Sequence, residues 1–91
     1  MEWTWDPAKD AVNRRKHDVS LSIAEVGLRD RLALSEPDPH PDGDRWRTLC
    51  EIGGVVFFVV HTWPEEPEPG RIISVRQATR RERKAYEHGR T

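Results

Sequence analysis

The chain has 91 residues, 35% hydrophobic and 34% charged, with a net charge of -1 and a single cysteine. That length suits one domain over residues 1–91, and four tryptophans with the run "VVFFVV" supply enough apolar area to exclude disorder. A lone thiol excludes an intrachain disulfide, and no apolar run approaches the roughly 20 residues that span a bilayer; with no basic-then-apolar leader, a cytoplasmic protein without a membrane partner is expected.

In chain order, "EWTW" alternates polar and aromatic residues and predicts a short strand. It runs into Asp6-Pro7, an N-cap with proline at the first helical position, predicting a helix that ends at His17-Asp18. Ala8, Ala11 and Val12 form its apolar face, with Arg15 beside them and Lys9, Asn13 and Lys16 at the rim. A second helix is predicted over about residues 21–28, capped by Ser20 or by Ser22 in a Ser-x-x-Glu box with Glu25. A short strand around residues 32–35 leads into "EPDPHPDGD", a loop by its prolines, aspartates and glycine.

The main sheet follows. "RWRTLCEI" alternates, Gly53-Gly54 turns the chain, and "VVFFVVHTW" is continuous enough for a central strand covered on both faces. "PEEPEPG" is a second turn and "RIISV" the last strand, so short connections predict an antiparallel meander. Strict alternation puts Ile72, Ser74 and Arg76 on one face, and Arg71, Ile73 and Val75 on the other. The box from Thr79 to Glu82 opens a final helix with Ala78, Glu82, Ala85 and Tyr86 on one side and Arg80, Arg81, Arg83 and Lys84 around the rest. The predicted class is α+β: an antiparallel sheet packed against N-terminal helices, with a basic C-terminal helix.

The near-neutral total hides a division of charge. Residues 36–70 hold two basic and eight acidic side chains, whereas residues 71–91 hold seven basic and two acidic. A basic end can concentrate a polyanion; the alternative is a solvated helix face paired with the acidic middle. Cleaving RNA without a metal needs a group that deprotonates the 2′-hydroxyl, and cations for the charge on the phosphorane. His61, ending the central strand, and Arg76, ending the last, are expected to meet at one sheet edge as catalytic residues. Arg45 is a second phosphate-binding candidate, because a guanidinium grips two oxygens at once. Tyr86 is a candidate for stacking on a base, against the plainer reading of a helix anchor. Four histidines and one cysteine lack C-x-x-C, H-E-x-x-H or EF-hand spacing, and no Gly-rich phosphate loop or G-x-S-x-G occurs; neither metal nor cofactor is expected.

The stretches "WDPAK", "N-x-x-K-H-D-V-S", "RW-x-T", "VVHT" and "RIISVRQAT-x-x-ER-x-x-YE" resemble, over nearly the whole chain and in the same order, the BrnT-type toxins of bacterial type II toxin–antitoxin systems. The resemblance implies a RelE-like ribonuclease fold and an RNA endonuclease that inhibits translation. It also implies neutralisation by a BrnA-type antitoxin with a ribbon-helix-helix DNA-binding region, hence an indirect link to DNA and room for dimerisation within the complex. Lys16 and His17 match the Lys-His after the first helix, Arg45 the arginine opening the sheet, and Arg76, Thr79, Glu82 and Tyr86 the closing signature. His17 is thereby the next acid–base candidate after His61, and Lys16, Arg47, Arg80 and Arg81 join Tyr86 as RNA-binding candidates. Gln77, Cys50 and Leu21 depart from the family's usual lysine, glycine and phenylalanine. Two other readings use the same residues: a non-catalytic nucleic-acid-binding module, and a protein that only holds a partner, with one or two of Trp3, Trp5, Trp46 and Trp63 as exposed anchors.

Overall fold

The computed structural model of the chain describes residues 2–89. Strand β1 (Trp3–Thr4) leads into helix α1 (Pro7–His17), and a 3-10 turn (Leu21–Ile23) runs into the short helix α2 (Ala24–Gly27). Strands β2 (Leu34–Pro37), β3 (Trp46–Ile52), β4 (Val55–His61) and β5 (Gly70–Gln77) follow, and α3 (Arg80–Gly89) closes the chain. The fold is α+β, and no described helix is long and apolar enough to cross a membrane.

Local chemistry sets the ends of these elements. Asp6 caps α1 by accepting from the Ala8 N–H at 2.9 Å, and Asp18, in the left-handed conformation at φ 60°, stops it. In place of one helix over residues 21–28, the chain makes the 3-10 turn and then α2, and of the two serines it is Ser20 that caps the turn, accepting from the Ser22 N–H, with no Ser22–Glu25 box. Thr79 and Glu82 form the expected reciprocal box: Glu82 accepts from the Thr79 N–H at 2.9 Å, and the Thr79 hydroxyl accepts from the Glu82 N–H at 3.2 Å. Gly53 and Gly54, at φ 57° and 85°, supply two positive torsions in a row, matching a two-residue hairpin turn.

The strand order is β1-β5-β4-β3-β2. The meander from β2 to β5 is antiparallel, but β1 pairs parallel with β5 through Trp3–Gly70 and Thr4–Arg71, so the sheet is mixed rather than purely antiparallel. Pro37 sits on the edge strand β2, where a missing N–H is tolerated. The apolar run of β4 is central and feeds both faces. Val59 joins Trp3, Leu21, Ala24, Cys50, Ile72 and Val75 under the 3-10 turn and α2, while Val56 joins Ala78 and Tyr86 under α3. Burial, with the Asp30 carboxylate as a lesser cause, pushes the Cys50 thiol up to about 12, so it behaves as a core side chain.

Two sequence expectations need correction. Helix α1 does not dock by an alanine–valine face: Ala8, Ala11 and Val12 are exposed, Val12 by 41%, and its buried residue is Asn13, at 4%. Beyond the two-residue β1, the outer edge of β5 is open, and Asn13 pairs with it as a strand would. Its side-chain amide donates to the Val75 carbonyl at 2.8 Å and accepts from the Val75 N–H at 3.0 Å. It also donates to the Val19 carbonyl at 3.0 Å. The alternation read along β5 also breaks. Val60 pairs with Ser74 but His61 with Ile72, so Ile73 is the extra residue of a bulge, and Ile72 and Val75 enter the same core instead of opposite faces.

Candidate active site

Between α3 and the sheet face beneath it lies a cavity of about 460 Å³. Register places its lining on one side of the sheet: Leu34 opposite Leu49, Glu36 opposite Arg47, Leu49 opposite Phe58, and Phe58 opposite Arg76. The floor is apolar, from Leu34, Leu49 and Phe58, and α3 adds Arg81, Glu82 and Ala85 as a wall. Three guanidinium groups and two carboxylates therefore face a space the size of a nucleotide.

Arg76 is the most constrained of these cations. Its guanidinium carbon stands 4.1 Å from the centre of the Phe58 ring, and Nη1 and Nη2 donate to the two oxygens of Glu82 at 2.8 and 2.9 Å. The Arg76 bonds above all hold the Glu82 carboxyl down at about 2; desolvation opposes them, and the Thr79 N–H adds a lesser lowering. Arg76 is thus fixed by a bidentate pair and a ring while its side chain stays one-third exposed. Arg47 is held more loosely, its Nε donating to Glu36 Oε1 at 2.7 Å.

The other candidates from the sequence lie elsewhere. Arg45, at the end of the proline loop, faces Asp42 at 3.9 Å and does not line this cavity. Arg80 is exposed at the start of α3, outside the cavity lining. Lys16 and His17 line a separate groove with Val12, Asn13 and Ile73. Tyr86 is 1% exposed and its hydroxyl donates to Asp30, so the ring anchors α3 and cannot stack on a base. The cavity therefore gathers Arg76, Arg47 and Arg81 from the expected set. Sequence reading passed over Glu36 and the apolar floor; both required the register of β2 on β3, which no local pattern specifies.

The expected meeting of His61 with Arg76 does not occur. Phe58 faces Arg76, and His61 lies three positions along β4, an odd number, so it points to the opposite face. There it is fully buried, with Trp3 at 5.6 Å and Trp63 at 4.7 Å between ring centres in edge contacts. Its Nδ1–H donates to the Thr62 carbonyl at 3.0 Å, so the neutral ring accepts at Nε2 from the Thr48 hydroxyl at 2.6 Å, and Thr48 in turn accepts from Ser35 at 2.7 Å. Desolvation lowers the His61 pKa, opposed by the Thr62 bond. The folded state thus resists a proton that the unfolded chain takes up near pH 6.5. Stability is therefore full above that pH and falls as pH drops through it, by up to about 1.4 kcal/mol per pH unit. Urea midpoints measured between pH 7.5 and 5 should decline in the wild type, and the share owed to His61 should vanish in His61→Gln.

A larger cleft, about 800 Å³, opens at the other end of the sheet beside Trp46 and Trp63. Asp44, Glu65, Glu66 and Glu68 line it, with Arg71 as the cation among its lining residues, paired to Asp44 at 3.7 Å. Such a lining repels phosphate, so charge sets this cleft apart from the arginine-bearing cavity under α3 despite its greater size.

A family model described as the ribonuclease toxin BrnT of type II toxin–antitoxin systems matches residues 5–82, while no curated protein matches the chain. The matched span takes in α1, strands β2 to β5 and the Arg76–Glu82 pair that opens α3. A match over residues 5–82, most of the sequence, places this chain in the BrnT family of ribonuclease toxins of type II toxin–antitoxin systems.

Proposed function

We propose that the cavity under α3 binds a segment of single-stranded RNA and cleaves it by attack of a 2′-hydroxyl on the adjacent phosphorus, with no metal ion. The supporting observation is the convergence of Arg76, Arg47 and Arg81 from two strands and a helix on one apolar-floored space. A phosphorane carries one more negative charge than the diester, so cations already fixed in place favour it over the ground state. Arg76 supplies that charge without reorganisation, since Glu82 and Phe58 hold it before substrate arrives. The apolar floor suits a base and the rim suits its phosphates.

On this reading the whole chain is one RelE-like domain, working in the cytoplasm as an mRNA-cleaving enzyme that arrests translation. Its antitoxin is a BrnA-type ribbon-helix-helix protein that links the pair to DNA. Trp63, 41% exposed beside the acidic cleft, gives such a partner an aromatic anchor.

Incubating the purified protein with a defined single-stranded RNA in EDTA is the test. Fragments ending in 2′,3′-cyclic phosphate and 5′-hydroxyl are expected, and a single 2′-deoxy substitution at the cleaved position should block that cut. Binding without cleavage, under conditions where the protein arrests growth when expressed, would favour the non-catalytic module.

A further inference from the structure

A 2′-hydroxyl attacks only as it loses its proton, and none of the histidines proposed from the sequence lines the cavity. The proton acceptor must come from the groups that do. Glu82 is poorly suited: Oε1 accepts from Arg76 and the Thr79 N–H, Oε2 accepts from Arg76, and so tightly held a carboxylate is a feeble base. Glu36 differs. Its Oε1 accepts from Arg47 Nε at 2.7 Å, no hydrogen bond from a described residue reaches Oε2, and the side chain is 64% exposed at the cavity rim on edge strand β2.

Resting on the nuclease reading above, we propose that Glu36 is the general base of the cleavage reaction, taking the 2′-hydroxyl proton on Oε2 while Arg47 orients it through Oε1. In that step the O2′–H bond breaks and its proton passes to Glu36, the O2′ electron pair forms a bond to phosphorus, and the P–O5′ bond breaks. The leaving 5′-oxygen takes a proton from solvent, and Glu36 returns its proton to solvent, so the carboxylate is regenerated and no redox partner is needed. Arg47 couples the base to the phosphate clamp: Nε holds Glu36, and the Nη groups remain to meet a non-bridging phosphate oxygen. The charged groups facing Glu36 across the cavity are Arg47 from β3, Arg76 from β5, and Arg81 and Glu82 from α3.

Glu36→Gln keeps the shape and the acceptor for Arg47 but removes the base. Single-turnover cleavage by this variant should fall by roughly 10²–10⁴-fold. Its affinity for a non-cleavable 2′-deoxy oligonucleotide should not fall below that of the wild type, since a negative charge leaves an anion site, and its urea midpoint should change little, as for an exposed ion pair. Glu36→Asp should recover part of the rate. Two results overturn the proposal while leaving the nuclease reading intact: Glu36→Gln cleaving at the wild-type rate while Arg76→Ala is inactive, or a loss of rate wholly matched by a loss of affinity. Wild-type protein that binds RNA and never cuts it overturns both.

Discussion

Arg76→Ala is expected to lower single-turnover RNA cleavage by roughly 10²–10³-fold, the usual cost of removing one fixed donor from a developing oxyanion. Arg76→Lys should recover little of this. An ammonium is a compact point charge that cannot reach both Glu82 oxygens while presenting further donors to a phosphate, nor lie flat against the Phe58 ring. The effect should appear in the rate of the bound complex more than in affinity, because the guanidinium is asked to favour the phosphorane over the diester. Circular dichroism and urea midpoints separate this from unfolding, since the variant also leaves Glu82 without its main partner. Unchanged cleavage in a folded Arg76→Ala protein would remove this cavity from the reaction.

The second large effect concerns stability and falls on a residue that composition would rank as a surface polar. Asn13→Ala strands the Val75 N–H and carbonyl and the Val19 carbonyl, in a site where the side chain is 4% exposed. With about 1 kcal/mol or more for each of the two buried Val75 groups left unpaired and less for the part-buried Val19 carbonyl, a loss of about 2–3 kcal/mol follows, or a fall in Tm of roughly 8–24 °C for a chain of this size. Val12→Ala, one position away on the same helix, removes exposed methyls and should cost less than about 0.5 kcal/mol. Chemical denaturation of the two variants side by side checks the contrast; equal losses would mean that α1 docks through its apolar residues after all.

The cap at Asp6, the box between Thr79 and Glu82 and the turn at Gly53-Gly54 were legible because each is decided within a few residues. So was the central position of "VVFFVV", whose unbroken apolarity demands cover on both faces. The docking of α1 was not legible: its alternation of small apolar and charged residues suggests a weak stripe, and nothing local says that Asn13 will serve as a surrogate strand for an open edge. Nor was the pairing of faces. The bulge at Ile73 offsets β5 against the end of β4, and with Arg76 opposite Phe58 the odd spacing to His61 puts imidazole and guanidinium on opposite sides of the sheet. Glu36 escaped notice for a related reason, since its place beside Arg47 exists only once β2 lies on β3 in this register. Sequence patterns thus carried the elements, while long-range pairing decided which side chains line the cavity under α3.

The most direct test of where RNA sits is a chemical-shift titration of ¹⁵N-labelled protein with a 2′-deoxy single-stranded oligonucleotide that cannot be cut. The backbone amides of Leu34, Glu36, Leu49, Phe58 and Ala85 should shift together as the oligonucleotide is added. Shifts confined to the groove around Lys16, His17 and Ile73, with the residues under α3 unmoved, would contradict the account.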